Sequence, residues 1–274
     1  MRRVLLIAGI CWMVSAVSFA EVKPASLFSD HAVLQSGMAV PVWGTASPGE
    51  KVTVTLHGTS ASTTTPADGR WMVRLKKLKA GGPYEMTIAG KNTVTVKDVL
   101  VGEVWLGSGQ SNMVFTVSKK SNPWAGMLDE QGEIAAANYP RIRMFTGKAT
   151  KAYEPQTDIA GEWKVCSPET VGDFSAVGYL FARDLQRELK VPVGIVLEAY
   201  GASTAESWLP RPAMANDPLL KPLLDKFDAR VRYYRQHPGG SDACAPSAPK
   251  TLNARPAKAG AKPGKMRDLV QNKH

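Results

Sequence analysis

The sequence predicts an α/β protein: an N-terminal β-sandwich, then an α/β part, then a disordered tail. Three observations carry this. Residues 21–98 alternate apolar and polar side chains with a period of two, between clear turn signals. Residues 99–235 change to nearly continuous apolar runs with an amphipathic helix between two of them. Residues 236–274 lose both patterns and are crowded with Pro, Gly, Ala and Lys.

The elements follow in order. Met1-Arg2-Arg3 is a basic start, Val4 to Val17 is mostly apolar, and Ser18-Phe19-Ala20 places small residues before Glu21. That order predicts a secretory signal peptide over residues 1–20, cleaved after Ala20. The apolar stretch is shorter than the ~20 residues of a membrane span, so the expectation is an exported chain, periplasmic or secreted, with no membrane segment after cleavage. In residues 21–98, Val52, Val54 and Leu56 alternate with Thr53, Thr55 and His57. Trp71, Val73 and Leu75 alternate with Met72, Arg74 and Lys76, and Tyr84, Met86 and Ile88 with Glu85, Thr87 and Ala89. Turns at Ser47-Pro48-Gly49, Ala67-Asp68-Gly69, Gly81-Gly82-Pro83 and Gly90-Lys91-Asn92 separate the strands.

From residue 99 the grammar differs. Val99 to Leu106 reads as a strand buried on both faces, with Arg141 to Phe145 and Val193 to Tyr200 as further candidates. Between the last two, Phe174, Val177, Phe181, Leu185 and Leu189 recur at helical spacing, with Asp173 or Ser175 as the cap. After Tyr234 the pattern fades. Residues 236–265 hold a single large aliphatic, Leu252, too little apolar surface to offset the entropy of ordering.

The formal net charge of +10 is unevenly placed. Arg2 and Arg3 lie in the leader, and residues 236–274 carry seven Lys/Arg against two Asp. The predicted folded part is therefore nearly balanced and lacks the basic, aromatic-studded face of a nucleic-acid binder. Of the three cysteines, Cys11 lies in the leader. Cys166 and Cys244 remain, and an oxidising compartment permits but does not require their pairing. No Cys or His spacing marks a metal site, and no cofactor motif is present.

Two loops carry candidate chemistry. Gly107-Ser108-Gly109-Gln110-Ser111-Asn112-Met113 follows the first buried strand, and small residues there permit a sharp turn that sets Ser111 above the sheet. Free backbone N–H groups at a helix start stabilise the oxyanion that forms in acyl transfer. A plain Ser/Gly turn is the alternative reading of the same residues. Tyr200-Gly201-Ala202-Ser203-Thr204-Ala205-Glu206-Ser207-Trp208 follows the third buried strand and shares the edge where open α/β sheets bind ligands. Gly201 or Ala202 could present an N–H, Ser203 and Thr204 hydroxyls, and Glu206 could hold the loop. An ordinary capped connection is again the alternative.

Four blocks resemble one family. Phe28-Ser29-Asp30-His31-Ala32-Val33-Leu34-Gln35, followed by Val40-Pro41-Val42-Trp43-Gly44, is similar to the opening of the sialate O-acetylesterases. Asp98 to Leu106 and then Gly109-Gln110-Ser111-Asn112-Met113 resemble the nucleophile block. Val191-Pro192-Val193-Gly194-Ile195 and Gly201 to Trp208 resemble the next. The resemblance spans roughly residues 24–212. It implies an SGNH-type serine esterase: a β-rich N-terminal domain, then a three-layer α/β domain of which residues 99–235 are an incomplete part. It also implies Ser111 as nucleophile, Gln110 and Asn112 beside it, Gly201, Ala202 and Ser203 in the oxyanion and substrate loop, and Glu206 in support. The substrate class it implies is O-acetylated sialic acid or another acetylated carbohydrate, hydrolysed without a metal.

The chain also departs from that pattern. The family pairs two glycines where this chain has Gly201-Ala202, and its Gln-Gly-Glu-Ser-Asn-like and Asp-x-x-His blocks have no counterpart here. None of the four histidines replaces the missing base: His31 reads as structural, His57 as an exposed strand residue, His237 stands before the tail without an acid at the right spacing, and His274 is the last residue. The expectation is a truncated esterase, inactive or weakly active alone. The alternatives are a half-enzyme completed by a second chain and a non-catalytic carbohydrate binder. An α/β part with an open apolar edge is further expected to be poorly stable, with the β-domain folding alone.

Overall fold

The computed structural model describes residues 21–148, 150, 152 and 155–237. The expected leader (residues 1–20), Cys244, His274 and all of the expected tail beyond His237 lie outside them. The strands are β1 (Lys23–Pro24), β2 (Val33–Gln35), β3 (Val40–Thr45), β4 (Lys51–Leu56), β5 (Thr59–Thr64), β6 (Arg70–Leu75), β7 (Gly81–Ala89), β8 (Thr93–Gly109), β9 (Tyr139–Gly147), β10 (Gly161–Cys166) and β11 (Val193–Ala199). The helices are α1 (Ser111–Val114), α2 (Glu130–Ala136), α3 (Ala176–Leu189), α4 (Arg211–Asn216) and α5 (Lys221–Gln236). The chain forms two compact units, one ending at Ala205 and the other starting at Glu206.

In the first unit the period-two pattern becomes a sandwich. β1, β3 and β6 form a three-stranded antiparallel sheet. It packs its inward residues Val42, Trp71, Val73 and Leu75 against Val54, Leu56, Ile88 and Val96 of the second sheet. Alternation works because successive side chains of a strand point to opposite faces. His57 is an exception to the sequence reading. It lies in the turn between β4 and β5 at φ 44, followed by Gly58 at φ 74, and stacks on Tyr84 at 4.1 Å. Two consecutive positive φ values are what a tight two-residue hairpin requires.

β8 is 17 residues long and belongs to both halves of this unit. Its first half pairs with β7, and its second half runs parallel to β11. β11 in turn pairs parallel with β9, and β10 closes that side antiparallel. The path β10-β9-β11-β8-β7-β4-β5 is therefore one continuous sheet. Gly102 is required at the crossing, because a side chain there would strike the carbonyl of Pro192.

One face of the parallel strands, with Ile142, Met144, Ile195 and Leu197, packs on α3 through Tyr179 and Ala182. The other face carries Val196, Phe145 and Trp163 and meets Leu27, Ala32 and Val33. Among the described residues of this unit the helices thus cover one face, as in an incomplete three-layer sheet. Two sequence expectations change here. The helical stripe is rotated: Val177, Phe181 and Leu189 are exposed, whereas Gly178, Tyr179 and Ala182 are buried. Trp105 and Leu106 are 46% and 68% exposed, not doubly buried, because no described strand pairs with the outer edge of β8 beyond Gly102.

Polar contacts join the sandwich to the parallel strands. Arg143 on β9 is buried and donates to Asp98 Oδ2 at 2.6 Å, and His31 Nδ1 lies 2.7 Å from the same oxygen. Trp163 Nε1 donates to the Leu27 carbonyl at 2.9 Å. In the second unit, α4 and α5 bury Met214 and Leu224, and Arg211 Nη2 reaches both carboxylate oxygens of Asp228 at 2.9 Å. No helix among the described residues is long and apolar enough to cross a membrane.

Candidate functional site

The site begins where β8 ends. Gly109 stands at φ +131, a conformation that side chains disfavour, and it turns the chain out of the sheet. α1 starts at once with Ser111 and is a single turn: Met113 N and Val114 N bond to the Gln110 carbonyl and Phe115 N to the Ser111 carbonyl. So short a helix has little macrodipole, and any help to an anion comes from individual N–H groups.

The parallel register brings the second loop to the same edge. Ala199 lies opposite Gly109, and Tyr200 N donates to the Gly109 carbonyl at 2.9 Å. The chain then turns through Gly201 and Ala202, with Ser203 N returning to the Tyr200 carbonyl at 3.3 Å. A side chain built on Gly201 would begin 3.6 Å from Ser111 Oγ. Ala202 adopts φ 61, the left-handed region where glycine is at ease. It therefore takes up the geometry that a second glycine would give, at the cost of local strain. Among the described residues, the backbone N–H groups of Ser111, Asn112, Gly201 and Ala202 have no backbone acceptor.

The structure thus gathers Gln110, Ser111, Asn112, Gly201, Ala202 and Ser203 along one sheet edge. Glu206 belongs to the second unit, in the short turn Ala205–Trp208. The Ser111 hydroxyl faces Gln110 Oε1 at 3.5 Å, a long and weak contact. Among the described residues no histidine bonds to it. His31 is held by Asp98, His57 sits in its hairpin, and His237 ends α5 with Nδ1 2.9 Å from the Tyr233 carbonyl and its ring stacked on Tyr233. No three His, Cys, Asp or Glu side chains gather as metal ligands among the described residues.

Three titrating groups deserve a cause. Burial pushes Asp98 up, but the hydrogen bonds and charges of Arg143 and His31 outweigh it and hold the carboxyl below its usual range. Cys166 is buried and its thiol is pushed up to about 12, which makes it unreactive. Glu198 is hidden from sequence reading within an apolar strand. It lies opposite Ser108 in the register, with its carboxyl against Gly147 and Oε1 buried without a partner among the described residues. Burial raises its pKa. The signal was there: one acid in an apolar run, two residues before the Tyr200 turn.

The fold defines a class, a mixed α/β protein whose parallel strands open onto an edge of serine and glycine loops, where such sheets bind ligands. Comparison narrows it. No family model matches the chain. The chain is 35% identical over 210 residues to the sialate O-acetylesterase of Rattus norvegicus and 32% identical over 204 residues to that of Homo sapiens, matches that cover 69% and 67% of this chain. A crystal structure of a carbohydrate acetylesterase from Xanthomonas citri superposes with a TM-score of 0.66 and 36% identity, over 72% of this chain and 44% of that one. Over the matched residues the chain belongs to the sialate O-acetylesterase family. It spans 38% of the length of both of these curated relatives.

Proposed function

We propose that this chain supplies the nucleophile side of a carbohydrate O-acetylesterase. Ser111 Oγ attacks the acetyl carbonyl of an O-acetylated sialic acid or another acetylated sugar, and the N–H groups of Gly201 and Ala202 receive the oxyanion. The sugar hydroxyl leaves, and water then releases acetate from Ser111. The observation that carries this reading is the approach of Gly201 to Ser111 Oγ, 3.6 Å from the position of a first side-chain carbon. The apolar leader pattern adds the proposal that the chain works outside the cytoplasm.

Attack requires a base to take the Ser111 proton, and an unactivated serine is a weak nucleophile. Loss of a triad member leaves ~10³–10⁴-fold catalysis over water where the oxyanion site survives, and loss of one donor removes a further ~10²–10³. With no imidazole on Ser111 among the described residues, the chain alone is inactive or weakly active. The test of the site is covalent trapping. Prolonged treatment with a fluorophosphonate is expected to label Ser111 ahead of all other serines, slowly, with the adduct lost in Gly201→Val. Labelling spread evenly over exposed serines would favour a binding protein without an acyl-transfer site.

The outer edge of β8 supports a second element of the reading. Trp105 and Leu106 stay exposed beside a strand edge with no described partner, which suits a second polypeptide carrying the rest of an esterase domain. Tagged chain co-expressed with its genomic neighbours is expected to retain such a polypeptide, and Leu106→Lys to release it. Recovery of the chain alone in both cases would remove this element.

A further inference from the structure

We propose that the outer face of the three-stranded sheet binds an acidic sugar, a ring bearing a carboxylate, at a site separate from Ser111. β1, β3 and β6 border a cavity of about 670 Å³ together with Thr157 and Asp158, a size typical of small-molecule sites. The sheet that carries it does not contain β8.

The register sets what lines it. Trp43 pairs with Met72, Thr45 with Arg70 and Pro41 with Arg74, and these residues alternate with the inward Val40, Val42, Val73 and Leu75. The outward face of a solvated sheet is ordinarily polar. Here its centre is an indole and a thioether, with Met72 49% exposed. Three cations surround it: Arg70 and Arg74 on β6, and Lys23, which lies opposite Thr45 on β1.

The charge around the cavity is unbalanced. Among the described residues Lys23, Arg70 and Arg74 form no ion pair. The single acid at the rim, Asp158, is already engaged: Oδ1 accepts from Ser26 N and Ile159 N, both at 2.9 Å, and Oδ2 from Ser26 Oγ at 3.1 Å. An apolar aromatic floor suits the C–H face of a sugar ring, and the guanidinium groups suit its carboxylate. A neutral sugar would make no use of the three exposed cations, and a simple inorganic anion would make no use of Met72 or of the exposed part of Trp43, whose ring otherwise packs edge-on against Phe28 at 4.7 Å. The occupant is therefore an acidic sugar, either a sialic acid or a uronic acid.

The test uses the full chain carrying Ser111→Ala, so that it does not depend on the esterase reading. Calorimetry with N-acetylneuraminic acid, glucuronic acid, glucose and sodium acetate compares this protein with versions that add Arg70→Gln and Arg74→Gln, or Lys76→Gln and Lys77→Gln as an exposed control. Circular dichroism verifies each fold. At least one acidic sugar is expected to bind saturably, with affinity reduced at least about tenfold by the arginine changes and unchanged by the lysine changes. Which of the two acids binds more tightly identifies the source. No saturable binding, equal binding of glucose or acetate, or equal affinity in the arginine variant would overturn the proposal.

Discussion

Ser111 shows how far single residues could be read. A serine in a glycine-rich loop after an apolar strand is visible in sequence, and so is Gly201 after another. The sequence also places both loops at one sheet edge; that they are direct neighbours there depends on β8 and β11 pairing in parallel register. Glu198 was hidden for a related reason: its burial arises from Gly147 on another strand. His57 was misplaced because a strand's alternation continued formally into the turn. Asp98 offers a residue-scale prediction. Its folded pKa is lowered, so the stabilisation it gives is present above the unfolded carboxylate range and is lost as pH falls through the folded value. Asp98 adopts φ 54, which asparagine tolerates. Asp98→Asn keeps the backbone and leaves buried Arg143 unpaired, at a cost of about 3 kcal/mol at neutral pH. In urea denaturation the variant should also lose part of the wild-type stability change below pH 4.

At the scale of elements, the alternating strands of the sandwich were legible because each buries one face. The parallel strands were partly legible: Arg141 to Phe145 and Val193 to Tyr200 lie within or beside β9 and β11, whereas β10 was missed, its Gly161–Cys166 segment offering little pattern. α3 was placed but rotated. Phe181 looked like core, yet it packs edge-on against exposed Trp105 at 5.1 Å while the smaller Gly178 and Ala182 take the close approach to the sheet. Its cap was among the two residues read from sequence. Ser175 is fully buried, and its Oγ accepts from Gly178 N at 3.1 Å. Ser175→Ala is expected to cost about 1 kcal/mol, and thermal unfolding of the variant measures it. An unchanged melting curve would show that α3 is held by packing alone.

At the scale of the molecule, β8 joins the sandwich and the parallel strands into one sheet, and the Asp98–Arg143 and Trp163–Leu27 contacts reinforce that join. This argues against independent folding of residues 21–98, since cutting at residue 98 would divide a strand. Among the described residues no strand pairs with the outer edge of β8 beyond Gly102, where Trp105 and Leu106 are exposed. On the proposed reading, Ser111 and the Gly201 loop form the nucleophile side of an esterase site, with no imidazole on Ser111 among the described residues. Acetate release from an O-acetylated sialic acid, by the full chain and by Ser111→Ala at equal concentration, tests it most directly. Indistinguishable rates, close to the uncatalysed one, are expected. A clear Ser111-dependent rate would contradict it, because a base would then have to act on Ser111 within this chain, and His237 would be the first residue to replace.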